Sequence, residues 1–286
     1  MATSMPAAFI GHGSPMNTLE QNRFTESWRR LGEAVPRPRA VLVVSAHWYT
    51  NATVVTAMEE PRTIHDFYGF PEELFAFEYP APGDPDVADL VVETVQPRWV
   101  GQDRDSWGLD HGTWSVLAHL FPDADVPVVQ LSINAVQPLE YHVDIGARLA
   151  PLLDEGVLVL GSGNVVHNLR RIDWSTPDAG VDWNRRFDAA ALAVLQDEPG
   201  DVLRLVEHPD YQQAVPTPDH FIPLLYFAGL ASARGASIDP WTEGYSYGSL
   251  SMASYVTGVE APSATQDDEG SGHAPGTDAP PEQSNI

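Results

Sequence analysis

The sequence predicts an α/β fold: a single-domain sandwich with a central, mostly parallel or mixed sheet flanked by helices. Two observations carry this expectation. Short apolar runs recur at 7–10, 41–46, 53–57, 126–133, 157–160 and 250–256, with the length and β-branched content of buried strands. Between most of them lie stretches of helical period, at 22–35, 85–96, 114–120, 139–153, 182–196 and 221–231. Strands that alternate with helices lead to a sheet covered on both faces. With 286 residues, 43% of them hydrophobic, the chain is long enough for one large domain with a sizeable core.

Taken in order, the run Ala7-Ala8-Phe9-Ile10 reads as a buried first strand and is followed by Gly11-His12-Gly13-Ser14-Pro15. The glycines on either side of His12 permit a sharp turn and close backbone approach. The helix at 22–35 ends at Pro36 and Pro38, because proline cannot continue it. The second strand, 41–46, delivers His47 at its carboxyl end. Residues 61–85 have little periodicity and many aromatics, including His65, Phe67, Tyr68, Phe70, Phe75, Phe77 and Tyr79. Such loops serve as lids over a ligand or pack as anchored surface loops, and both readings stand.

Pro85 opens the next helix, and Asp110-His111-Gly112-Thr113 precedes the apolar helix 114–120. The strand 157–160 leads through Gly161-Ser162-Gly163-Asn164 to His167. A short helix is expected within 201–214. Pro218-Asp219-His220 opens the helix 221–231, with Asp219 as its expected N-cap. From residue 261 Pro, Gly, Ser, Asp and Glu dominate, the composition of a disordered acidic tail. The expected division is a catalytic domain over 1–260 and a tail over 261–286.

The formal net charge is −25, and all 15 basic residues are arginine. So acidic a field repels nucleic acid and anionic membranes. The acids are scattered rather than clustered, as on a halophilic-type acidic surface that keeps a protein soluble in salt. There is no cysteine, so a metal would be held by histidine, carboxylate or water. No run approaches the roughly 20 apolar residues of a membrane span, and the start lacks a signal pattern. A soluble cytoplasmic protein, monomeric or a small homo-oligomer, is the expectation.

Ten histidines are present. His119 falls within an apolar helix, His142 and His208 have nothing reactive beside them, and His273 lies in the tail. His12, His47 and His167 follow strands, and His220 opens a helix. Ligands of open α/β sheets bind beyond the carboxyl ends of the strands, so imidazoles delivered to that edge point to a metal or acid–base site.

Six ordered motifs carry a resemblance to a known family. They are Gly11-His12-Gly13-Ser14-Pro15, Ser45-Ala46-His47-Trp48, the stretch from Ile64 to Pro71, the stretch from Gly108 to Trp114, the stretch from Gly161 to Asn168, and Pro218-Asp219-His220-Phe221. Together they resemble class III extradiol ring-cleavage dioxygenases of the DOPA-dioxygenase type. These are relatives of the protocatechuate 4,5-dioxygenase catalytic subunit. The resemblance implies opening of a catechol ring beside the diol with both atoms of dioxygen, so a small aromatic diol and dioxygen are the implied partners. It implies His12, His47 and His220 as metal ligands and His167 as the acid–base or a fourth ligand. His111 is implied as a second catalytic histidine near the substrate. Ferrous iron, Fe(2+), is the cofactor implied for activity, with zinc, Zn(2+), an alternative occupant as isolated.

His220 stands where the usual triad has a carboxylate, which leaves the site with one less negative charge. Asp219 is the nearest carboxylate in sequence. A catechol must lose a proton to chelate a cation, and a neutral imidazole can take it. The chemistry also admits a zinc-dependent hydrolase of a small amide or ester, and a non-catalytic metal-binding interaction protein on the same fold.

Self-repulsion at a charge of −25 destabilises the compact state where it is unscreened. The expected outcome is a melting temperature that rises from dilute buffer to molar salt. Thermal melts at the two ionic strengths check it.

Overall fold

The computed structural model describes residues 4–261. In chain order the elements are β1 (Ala7–Gly11), α1 (Arg23–Ala34), β2 (Ala40–Thr50), β3 (Val54–Thr56), α2 (Glu72–Phe75), α3 (Pro85–Thr94), β4 (Gly101–Asp103), α4 (His111–Leu120) and β5 (Val128–Asn134). There follow α5 (Leu139–Leu149), β6 (Val157–Gly163), α6 (Asp182–Asp197), α7 (Tyr211–Ala214), α8 (Ile222–Arg234), β7 (Asp239–Thr242), β8 (Tyr245–Ser246), β9 (Leu250–Ser251) and β10 (Ser254–Thr257).

Eight strands form one mixed sheet in the order β4-β3-β5-β2-β6-β1-β10-β7. Its centre, β5-β2-β6-β1, is parallel. The pairings β3 with β5, β1 with β10 and β10 with β7 are antiparallel. Every residue of β1, β5 and β6 is buried, as strands covered on both faces must be. Successive residues of a strand face opposite sides, and β6 shows which helix covers which side. A Cβ at Gly163 would collide with the carbonyl of His220 at the entry to α8, so this glycine is what lets α8 close on the sheet. Ser162, one residue earlier, donates instead to the carbonyl of Gly112 in α4 at 2.5 Å. Helices α8 and α4 therefore sit on opposite faces, and both begin at the carboxyl edge of β6.

The expected α/β class is the observed one, with differences in detail. Strand β2 continues to Thr50, so His47 lies inside it rather than beyond its end. The pairing with β5 shifts register between Val44 and Tyr49. Such a bulge re-aims side chains, here around His47. The short strands β4 and β7 were not expected; their sequences, Gly-Gln-Asp and Asp-Pro-Trp-Thr, lack apolar alternation and are held by pairing with a neighbour. The expected run 250–256 divides into β9 and β10. The helix expected within 201–214 is a 3-10 segment, Pro199–Glu207, followed by α7. Of the aromatic loop, Phe67, Phe70, Leu74 and Tyr79 are buried in the core. It is a packed loop anchored by its rings. The tail expected from 261 and His273 lie outside the described residues, Ala261 apart.

Helix α6 is tied to the β8–β9 hairpin through a buried carboxylate. Asp188 accepts from Ser251 Oγ at 2.6 Å and from Tyr245 OH at 3.2 Å. Burial pushes its pKa up to about 6 in spite of these donors. The hairpin in turn bridges Leu250 to His167. Because the folded pKa exceeds the unfolded one, the protonated form contributes stability that is full below 3.8 and is lost as pH rises through about 6. Asp188→Asn keeps an acceptor and removes the charge. Its unfolding free energy relative to the unmodified protein should therefore improve by roughly 1–3 kcal/mol from pH 4 to pH 7.5. Urea midpoints of both proteins at each pH measure this.

Candidate metal centre and active site

Two strands and the turn before a helix deliver the imidazoles. His12 follows directly on β1, and Gly13, at φ +60°, turns the chain away behind it. The carbonyl of His12 accepts from Asn17 Nδ2 at 2.9 Å, which fixes the turn. His47 projects from the bulged part of β2. His220 comes from the turn before α8, whose carbonyl accepts from Asn164 N at 2.9 Å beyond β6. The ring centroids of His12, His47 and His220 stand 5.0–5.2 Å apart. One ligand atom from each lies within 4.8 Å of the others.

Each of these rings has its Nδ1 engaged. Ser162 Oγ gives its proton to Gly112, so at 2.9 Å it accepts from His12 Nδ1–H. His47 Nδ1 lies 3.3 Å from Asp66 Oδ2. His220 Nδ1 is hydrogen-bonded to Asp219 Oδ2. With Nδ1 protonated, Nε2 of each ring carries a lone pair. His12 Nε2 and His47 Nε2 face each other at 3.2 Å, and His220 Nε2 is buried with no hydrogen-bond partner among the described residues. Lone pairs that converge in a buried place are costly unless a cation sits among them. The residues present thus fit a divalent metal held by three imidazoles. Burial, and next the neighbouring histidines, hold His12 and His47 well below the usual histidine pKa. They are neutral at pH 7, as metal ligation requires.

The two carboxylates behind the rings stay ionised. Burial alone would raise Asp66, but the electrostatic pull and hydrogen bonding of His111 outweigh it and lower its pKa. Burial would raise Asp219 as well, and the hydrogen bond from His220 holds it below the usual carboxylate range. Asp219 is therefore the partner of His220 and not the N-cap expected from its position. Helix α8 is entered through Phe221 without a side-chain cap.

His111 opens α4, with Asp110 as N-cap. Its backbone N–H donates to Asp66 Oδ1 at 2.9 Å and its Nδ1 lies 3.0 Å from Asp66 Oδ2. Its ring packs on His47 at 3.8 Å. It is fully buried and is not part of the cavity wall. His167 lies on the other side. Its ring is parallel to that of His220, with centroids 3.5 Å apart and planes 4° from each other. A cavity of about 370 Å³ opens beside them, lined by His47, His167, His220, Tyr49 and Arg170 among others. No residue of the aromatic loop is in its wall.

All five histidines singled out from the sequence thus gather in one place. His119 Nε2–H donates to the Asn17 carbonyl at 2.7 Å, and His142 Nδ1 pairs with Tyr226 OH at 3.1 Å. Both are held in the core. Ser162 and Asp66 lay within motifs already singled out, yet neither had an assigned role. Arg170 and Tyr49 carried no signal in the sequence, because only the fold brings them to the cavity.

Residues 6–258 match the family model described as the catalytic LigB subunit of aromatic ring-opening dioxygenase. A 4,5-DOPA dioxygenase extradiol of Escherichia coli (strain K12) is 47% identical over 261 residues, covering 90% of this chain and 96% of that protein. One from Beta vulgaris is 36% identical, covering 86% of this chain and 96% of that protein. The crystal structure of an uncharacterised protein from Escherichia coli K12 superposes with a TM-score of 0.77 at 42% identity, covering 88% of this chain and 99% of that one.

Residues that orient ligating imidazoles affect metal affinity at second hand. Asp219→Asn should weaken metal binding by about 10–100-fold, whereas His220→Ala, which removes a candidate ligand, should weaken it further. Competition against a chelator of known affinity, with metal analysis of each variant, checks the order.

Proposed function

The chain belongs to the LigB family of extradiol ring-opening dioxygenases, and from that premise we propose that it opens the ring of DOPA or a closely similar catechol with ferrous iron. Relatives from a bacterium and from plants carry the name 4,5-DOPA dioxygenase extradiol, which supports this choice of substrate. The observation that carries the reading is the trio of Nδ1-anchored imidazoles beside a cavity wide enough for one aromatic ring with a short side chain.

In this reading His12, His47 and His220 hold the metal. A ferrous ion there would mediate electron transfer from the catecholate to dioxygen. The protein residues supply position and protons. His167, in the cavity wall and stacked on His220, takes the proton of the catechol hydroxyl in this reading; its ligand atom also lies within 4.8 Å of those of Asp219 and His220, which supports the fourth-ligand role as the second reading. His111 Nδ1 lies 3.0 Å from Asp66 Oδ2. It is the candidate donor when the O–O bond breaks. Both oxygen atoms enter the product, and the ring bond beside the diol is the one that breaks. The catalytic unit is residues 1–260, in keeping with the matched span 6–258. The cytoplasm is its proposed location, since ferrous iron stays reduced there.

Anaerobic loading with Fe(2+), then L-DOPA and air, should give oxygen uptake together with a yellow ring-opened product. Oxygen-independent hydrolysis of an ester or amide, with no uptake, would replace the reading. His167→Gln and His111→Gln should each retain iron while turnover falls by about 10²–10⁴-fold. Iron content and oxygen uptake, measured on both, decide whether these histidines move protons.

A further inference from the structure

Arg170 is the one permanently cationic side chain in the cavity wall. The chain carries 40 acidic residues against 15 arginines, and several arginines elsewhere are held by carboxylates. Arg186 holds Asp210 at 2.9 Å, Arg234 holds Asp154 at 2.7 Å, and Arg98 holds Asp144 at 2.7 Å. Among the described residues Arg170 has neither an ion pair nor a side-chain hydrogen bond. In a protein so rich in carboxylates, an unpaired guanidinium beside a substrate cavity is available to a ligand.

Its backbone is held in place. Arg170 lies in the 3-10 turn Leu169–Arg171, three residues after His167. Asn168, just before this turn, donates from its backbone to Ser249 O at 3.2 Å and from Nδ2 to Gln213 O at 2.7 Å. The residue that faces the diol chemistry and the free guanidinium thus share one anchored segment. The only carboxylate in the same wall, Asp219, is engaged by His220 and does not compete for the arginine.

We infer that Arg170 is a specificity-determining residue that receives a carboxylate on the side chain of the catechol, while the diol end lies at the histidines. This rests on the ring-opening reading for the identity of the diol site. Guanidinium is suited to a carboxylate by its planar fork of donors. The chemical class of substrate is therefore a catechol with an anionic side chain. Without Arg170, a field of net charge −25 would favour a cationic catechol over an anionic or zwitterionic one.

The test reads binding in the absence of oxygen, so that it stands apart from turnover. Iron-loaded protein is titrated anaerobically at low salt with L-DOPA, with dopamine, which lacks only the carboxylate, and with 4-methylcatechol. Arg170→Gln should weaken L-DOPA by about 10–100-fold and leave dopamine and 4-methylcatechol within about twofold, with iron content unchanged. Arg170→Lys, which keeps the charge without the fork, should recover part of the loss. Equal weakening of all three ligands, no weakening of any, or no binding of L-DOPA to the unmodified protein would each overturn the inference. Absence of ring opening in air, with the L-DOPA preference intact, would instead remove the proposed reaction and leave the carboxylate site standing.

Discussion

The site depends on one constraint: a buried imidazole has two nitrogens, and only one can point at a metal. Ser162, Asp66 and Asp219 each take up the Nδ1 of one ring. That leaves the Nε2 lone pairs of His12, His47 and His220 to converge. Burial keeps His12 and His47 neutral, as the proposed ligand role requires. Without the Nδ1 partners the rings would be free to turn or to change tautomer, and the convergence would be lost.

The fold meets this constraint through its parallel centre. Strands β1, β6 and β2 lie side by side and end at the same edge, so residues distant in sequence arrive together. Helices α4 and α8 begin at that edge from opposite faces, bringing His111 and His220 to it. Beneath α4 a fully buried network supports the arrangement. Asp110 accepts from Ser45 Oγ at 2.7 Å, from Thr113 N at 3.1 Å and from Gln130 Nε2. Burial first, and then the nearby Asp66, push its pKa up to about 6. Ser45 is two residues from His47, so the same hydrogen bonds hold the strand that carries this imidazole.

The site has two unlike sides. On one, His111, Asp66 and Phe67 close against His47 with no opening; on the other, His167 and Arg170 face the cavity. The proposed all-histidine ligand set lacks the carboxylate of the usual facial triad. Asp219 restores a negative charge one step away, through the Nδ1 of His220.

The strand–helix alternation, the five histidines that the fold gathers in one place and the family resemblance were all legible in the linear order of residues. Apolar period and glycine-flanked histidines are local properties, and local properties survive reading without a fold. What was not legible depends on contacts across long separations. That His47 lies within a bulged strand follows from the pairing of β2 with β5, not from its own neighbours. Asp219 looked like a helix cap because a cap is judged from adjacent residues; its side chain is instead taken by a buried ring that needs a proton acceptor. The aromatic loop looked equally able to be a lid or a packed surface loop, and the burial of Phe67, Phe70, Leu74 and Tyr79 in the core decided for the packed loop. Arg170 had no local signature at all, since a free charge becomes a binding group only when the tertiary structure opens a cavity beside it.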